Sequence, residues 1–267
     1  MALVKDPANG LEFYELSHPW GPGIPIWPGD TEVKIERLGT HARDGVHGSK
    51  ITTNMHNSTH VNAPIHLIQR GNDVAEMSIE RFFGNGVVLG IPKKKWELVT
   101  PQDLEKAKLP VQAGDIVIVN TGWHRKYSDS QEYFGHAPGL SKAAAEWLVR
   151  AKVKAVGVDT AAVDHPLATS LGAHRNGPQM KRLPKAYEQE VGHHPNQDHP
   201  EWNAAHRVLL GADIPTFENV GGDLDLVTDK RCTFHALPWK WLQGDACVIR
   251  MMAILDPTGG YRIERGA

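Results

Sequence analysis

The sequence predicts a mixed α/β fold with many strands and few long helices, on three observations. Short Val- and Ile-rich runs recur between Gly, Pro and Asp; an amphipathic helical stretch leads directly into one of these runs; and no internal repeat is visible. The runs are "GVVLGI" at 86–91, "DIVIVNTGW" at 115–123, "VKAVGVDT" at 153–160 and "CVIRMMAIL" at 247–255. Each is too short for a core helix and is bounded by turn residues, so each reads as one buried strand of a sheet with eight or more. The helix is "SKAAAEWLVRAK" at 141–152, where Ser141 is placed to cap and Ala144, Trp147, Leu148 and Ala151 share a side.

No linker is apparent, so residues 1–267 read as a single domain. Within it, 170–205 is polar, proline-containing and weakly periodic, the character of a lid, an arm or an interface segment. The formal charge of −2, with 29 basic and 31 acidic side chains interspersed, offers no basic face for a nucleic-acid backbone. No apolar run is long enough to span a membrane, and the first residues lack the apolar core of a signal peptide, which predicts a soluble, cytoplasmic protein. Cys232 and Cys247 lie in separate apolar segments and read as buried free thiols. The "GPGIPIWPGD" stretch lacks the Lys-Ser/Thr ending of a phosphate loop, and there is no G-x-S-x-G elbow, so nucleotide binding and serine nucleophiles are disfavoured.

The chemistry concentrates in "NMHNSTHVNAPIHL", 54–67. His56, His60, Asn62 and His66 all occupy even positions, so an extended chain directs them to one face. Residues four apart on a straight strand are separated by roughly 13 Å, too far to grip one ion. The backbone must therefore bend between His56 and His60, and Asn57-Ser58 suits that bend.

"HNSTHVNAPIH" resembles the H-x-G-T-H-x-D-x-P-x-H signature of the metal-dependent cyclase-type hydrolases, the family of bacterial kynurenine formamidase and isatin hydrolase. "ELSHP" with "PIWPGD", "VGVDTAAVD" and "FHALPWKWLQGDACVIRMMAIL" resemble further stretches of it, and "HRVLLGADIPTFEN" supplies His206 and Glu218 at the family's spacing of twelve. The resemblance implies a barrel-like mixed sheet of the swivelling β/β/α type, assembled as a homodimer or homotetramer. It implies that His56 and His60 are metal ligands and that Asn62 holds the place of a ligating aspartate. His66 would match the catalytic histidine, and His206 and Glu218 would ligate a second metal or orient the attacking water. Trp27 falls where the family lines its substrate pocket with aromatics.

Two departures carry expectations. Ser58 replaces a glycine, which predicts a different loop geometry at the bend. Asn62 replaces the aspartate, and a neutral amide bridges two cations poorly, which predicts one divalent ion per site, Zn or Mn. The expected activity is metal-dependent hydrolysis of an amide, lactam or lactone in a small aromatic or cyclic carboxylate compound, with His66 or Glu218 moving the proton. The alternatives are a metal-dependent cyclase or dehydratase on a related scaffold, and a non-catalytic small-molecule binder. Asp159 and Asp164, after a strand, suit capping better than catalysis, and His193 and His194 suit an exposed loop.

Overall fold

In the computed structural model, which describes residues 4–261 and 263, ten strands form one mixed sheet. In chain order they are β1 (Val4–Lys5), β2 (Glu12–Glu15), β3 (His60–Asn62), β4 (Phe83–Gly90), β5 (Ile116–Asn120), β6 (Ala155–Val158), β7 (Thr216–Glu218), β8 (Arg231–His235), β9 (Ala246–Val248) and β10 (Met252–Leu255). Their order across the sheet is β1-β2-β10-β8-β4-β5-β6-β7-β3-β9. Strands β4 to β7 run parallel, and the remaining pairings are antiparallel.

Strands β4, β5 and β6 read as unbroken apolar runs because both faces of the parallel sheet are covered. In β5, Ile116 and Ile118 pack with Tyr14, Val61, Phe217 and Phe234, while Val117 and Val119 point the other way. The second face is covered by Ala144 and Leu148 of α1 (Lys142–Arg150) and, further along the chain, by Leu209. Helix α1 starts where the sequence places it, with the Ser141 hydroxyl accepting from the Ala144 N–H at 3.1 Å. Each fully buried Ile, Val or Leu contributes about 1.5–3 kcal/mol of transfer free energy.

The run 247–255 is not one strand. It divides into β9 and β10, separated by Ile249–Met251 and lying seven positions apart in the sheet order. In a flat sheet seven spacings would be roughly 34 Å, yet a link from Val248 to Met252 spans at most about 14 Å. The sheet therefore curls into a half-barrel that brings its two ends together, and the link crosses between them. A bridge from Ser17 to Val220 ties the same two regions.

The segment 170–205 is more ordered than its composition predicts. It contains α2 (Leu183–Val191), with Pro184 in the first turn, and a short turn of helix over Pro195–Asp198. Leu171, Leu183 and Tyr187 bury against Trp123, Tyr133 and Phe134 in a third apolar cluster. The segment ends at α3 (Ala204–Gly211), the helix that carries Leu209. Strands Lys34–Gly39 and Gly48–Thr52 form a separate hairpin that pairs only with itself and exposes Ile35, Leu38, Val46 and Ile51. Cys232 and Cys247 are buried free thiols. Among the described residues no helix is long and apolar enough to cross a membrane.

Candidate metal centre

Strand β3 lies between β7 and β9, and this placement assembles the site. The antiparallel register sets His60 opposite Glu218 and Asn62 opposite Thr216 on one side, and Asn62 opposite Ala246 on the other. The residue before Ala246 is Asp245, whose carbonyl accepts from the Ala63 N–H at 2.9 Å. Beyond β3 the chain enters a 3-10 turn, Pro64–His66, in which the fixed φ of Pro64 starts the turn and the last residue is His66. The strand is thus confined to His60–Asn62, and His66 reaches the site from a turn rather than an extended chain.

The expected bend precedes β3, but Ser58 does not alter it in the way its side chain suggests. Its φ is +60°, the left-handed conformation that glycine favours. Three contacts hold it there: Asn219 Nδ2 donates to the Ser58 carbonyl at 2.9 Å, His60 Nδ1 lies 2.8 Å from the same oxygen, and Tyr127 donates to Ser58 Oγ at 3.1 Å.

His56, His60, His66, His206, Glu218 and Trp27 all line one cavity of about 440 Å³. Asn62 lies beneath it, buried, with Nδ2 at 3.0 Å from Glu218 Oε2, 3.2 Å from Thr216 Oγ1 and 3.1 Å from His206 Nε2. Glu218 is held at both oxygens: Oε1 accepts from the Val163 N–H at 2.7 Å and lies 3.4 Å from His206 Nε2, while Oε2 lies 3.2 Å from His60 Nε2. Burial alone would push the Glu218 carboxyl up, but His206 and His60 outweigh it and hold the group at about 2. His206 shows the converse balance: burial pulls its pKa down, and Glu218 and Asp164 raise it above the ordinary histidine value.

Asp164 accepts from the Ala205 and His206 N–H groups at 2.8 and 3.0 Å, so it caps α3 and aims His206. Asp159 likewise accepts from the backbone of Thr121, Trp123 and His124. His193 and His194 stay outside the cavity, next to Asp198 and at the start of a helical turn respectively. From 170–205 the cavity instead takes Ser170, Arg175, Gln179, Trp202 and Asn203. Trp27 packs edge-on against Phe134 and donates to Gln179 Oε1 at 2.9 Å, so it serves both as packing and as cavity wall.

Three charged residues of the cavity, Asp30, Arg175 and Asp245, have no signal in the sequence motifs. Asp245 Oδ2 lies 2.9 Å from His56 Nε2 and 3.6 Å from His66 Nδ1, and donor atoms of the three residues fall within 4.8 Å of one another. The His56 ring, hydrogen-bonded to it, and the His66 ring beside it hold the Asp245 carboxyl far below the carboxylate range, while burial lowers His66 to about 4. Burial raises Asp30 against the opposing pull of His56 and His60. The donor set fits a divalent cation: imidazoles and carboxylates converge without sulfur, His60 Nε2 has the Glu218 carboxylate beside it, and Asn62 Oδ1 is buried without a hydrogen-bond partner.

The curled sheet and this pocket define a member of a known class. The chain belongs to the family described as "Putative cyclase", whose model matches residues 14–165. It is 29% identical to a kynurenine formamidase of Erythrobacter litoralis (strain HTCC2594) over 249 residues, 92% of this chain and 95% of the relative. Among solved structures it is similar to isatin hydrolase A from Ralstonia solanacearum, with a TM-score of 0.72, 21% identity and 92% of each chain covered. It is also similar to a protein described as a predicted metal-dependent hydrolase from Bacillus stearothermophilus, with a TM-score of 0.66 and 19% identity over 92% of this chain and 99% of that one.

Proposed function

We propose that this chain is a metal-dependent hydrolase that cleaves the amide bond of a small aromatic compound, extending to lactams and lactones of cyclic carboxylates. The observation that carries the reading is the convergence of His56, His60, His66, His206, Glu218 and Asp245 on one cavity in a chain of this family. A bound Zn or Mn ion, one per chain, would polarise the scissile carbonyl and acidify water. The nitrogen and oxygen donors suit either ion.

The protein's own groups supply the rest. Trp27 and Trp202 offer flat apolar surface for an aromatic ring, and Trp202 Nε1 is a buried donor without a protein partner. Arg175 lies over the Trp202 ring at 4.1 Å and, among the described residues, has no carboxylate partner, which suits it to a substrate carboxylate. His66 and Glu218 line the cavity where a proton must be accepted and returned to the leaving group.

The working form is a homodimer or homotetramer in the cytoplasm. Support for assembly comes from the hairpin at 34–52: an isolated two-stranded hairpin is marginal in water, and this one exposes four large apolar side chains. Two buried free thiols suit a reducing compartment.

The test is hydrolysis of an N-formyl aromatic amine by purified protein before and after chelation, with formate as the measured product. Activity lost on chelation and regained with Zn²⁺ or Mn²⁺ is the expected result. Turnover that survives complete removal of metal overturns the reading.

A further inference from the structure

The bend that precedes β3 rests on a residue that stands after β7. Asn219 follows Glu218, is buried, and has a φ of +54°, a left-handed conformation that asparagine tolerates better than most residues. Both its backbone and its side chain reach the bend. Its carbonyl accepts from Thr59 Oγ1 at 2.6 Å, and its Nδ2 donates to the Ser58 carbonyl at 2.9 Å. Its Oδ1 accepts from the buried Tyr133 hydroxyl at 2.6 Å. The Ser58 carbonyl can only accept, so the amide nitrogen must face it, and Tyr133 fixes the amide from the other end.

The same carbonyl decides which nitrogen of His60 is free. His60 Nδ1 lies 2.8 Å from it, so Nδ1 carries a proton and Nε2, beside Glu218, is the atom left to meet an ion. Ser58 offers its carbonyl in this direction at a φ of +60°, a conformation that is unfavourable for a residue with a Cβ and open to glycine.

We propose that Asn219 is a positioning residue: it holds Ser58 left-handed, where the signature this stretch resembles has glycine, so that the Ser58 carbonyl keeps the His60 Nδ1 proton and Nε2 stays available to the divalent ion. This rests on the reading that His60 ligates such an ion. The other two contacts at Ser58 do not replace Asn219. Tyr127 grips Oγ at 3.1 Å, which leaves the carbonyl free to turn, and His60 is itself the group to be aimed. Because Asn219 offsets strain at Ser58, its loss matters little once position 58 is glycine, whereas loss of a general packing contact is felt equally with either residue.

The experiment is calorimetric titration of chelated protein with Mn²⁺ and separately with Zn²⁺, for wild type, Asn219→Gly, Ser58→Gly and the double variant, with melting curves of the ion-free forms. Glycine at 219 keeps the left-handed backbone and removes only the amide. The His60 Nδ1 proton is followed in ion-free, isotopically labelled protein by proton–nitrogen correlation and assigned through His60→Gln. Affinity should fall about tenfold to a hundredfold in Asn219→Gly, with the Nδ1 proton signal lost to exchange. Both should return in the double variant, the affinity to within about threefold of wild type. An equal loss in the serine and glycine backgrounds, or a loss in neither, overturns the assignment. If Asn219→Gly does not fold, Tyr133→Phe carries the same comparison, since it frees the amide without removing it: a smaller loss cancelled by Ser58→Gly supports the role, and one that persists there, or no loss, overturns it. A wild-type chain that takes up neither ion removes the hydrolase reading. The Nδ1 proton, read without any ion, then decides separately: its persistence in Asn219→Gly overturns the role at Ser58.

Discussion

Acid should loosen the wall of the cavity before it reaches the rest of the fold, through two stacked histidines. His165 and His199 lie face to face, with ring centroids 3.9 Å apart and planes inclined by 11°, and both are buried. His165 Nδ1 already accepts from the Leu167 N–H at 3.2 Å, so a proton there breaks a turn. Burial lowers His199 to about 4; His174 adds to the lowering, and Asp198 and Asp164 oppose it. His165 is lowered in the same direction, by burial first and by His199 second.

In the unfolded chain these rings take up protons near pH 6.5, but in the folded one they resist until lower pH. Their stabilisation is therefore present above about pH 6.5 and is lost as pH falls toward 4. For His199 alone the loss is about 2 kcal/mol by pH 5 and about 3 kcal/mol by pH 4. The assay is urea unfolding at about pH 7.5 and about pH 5, comparing wild type with His199→Phe, which keeps a ring in the stack. Wild type should lose about 2 kcal/mol more than the variant over that interval. Losses equal to within about 0.5 kcal/mol would refute the argument.

Two further outcomes are expected. Arg175→Gln should raise KM by about tenfold or more for aromatic amides that bear a carboxylate and leave kcat and uncharged substrates unaffected, since a charge-assisted hydrogen bond contributes about 1.5–3 kcal/mol; steady-state kinetics on matched substrates measures it, and equal effects on both would contradict the role. Asp164→Ala should lower stability by about 1–2 kcal/mol through loss of the α3 cap, read as a shift in the urea midpoint, and an unchanged midpoint would show that the cap is dispensable.

Much of the fold was legible because it depends on local pattern. Ile116 to Val119 alternate between two covered faces and so read as one apolar run, and Ser141 announces α1 in the only way a cap can. The histidine pocket was legible because His56, His60 and His66 are close in the chain and His206 and Glu218 are spaced by a short helix and a turn. Asp245 was not, since its nearness to His56 depends on β9 pairing with β3 across 183 intervening residues, counted from Asn62 to Ala246. Arg175 was obscured in the same way by a polar segment whose ordering comes from Leu171, Leu183 and Tyr187 rather than from any periodic face. The division of 247–255 into two strands follows from the curl, which hydrophobicity along the chain does not encode.

The link Ile249–Met251 also bears on the order in which the molecule can form. β10 fits between β2 and β8, and β9 completes the edge beside β3, so both closures require residues that come late in the chain to find partners near its beginning. Such pairings are of high contact order and slow, and until they form β3 presents an unpaired edge carrying His60 to solvent. The site and the fold are therefore finished by one event, the docking of 245–255. A chain halted upstream of it would hold nearly all of the helices while lacking both the closed sheet and the carboxylate at position 245.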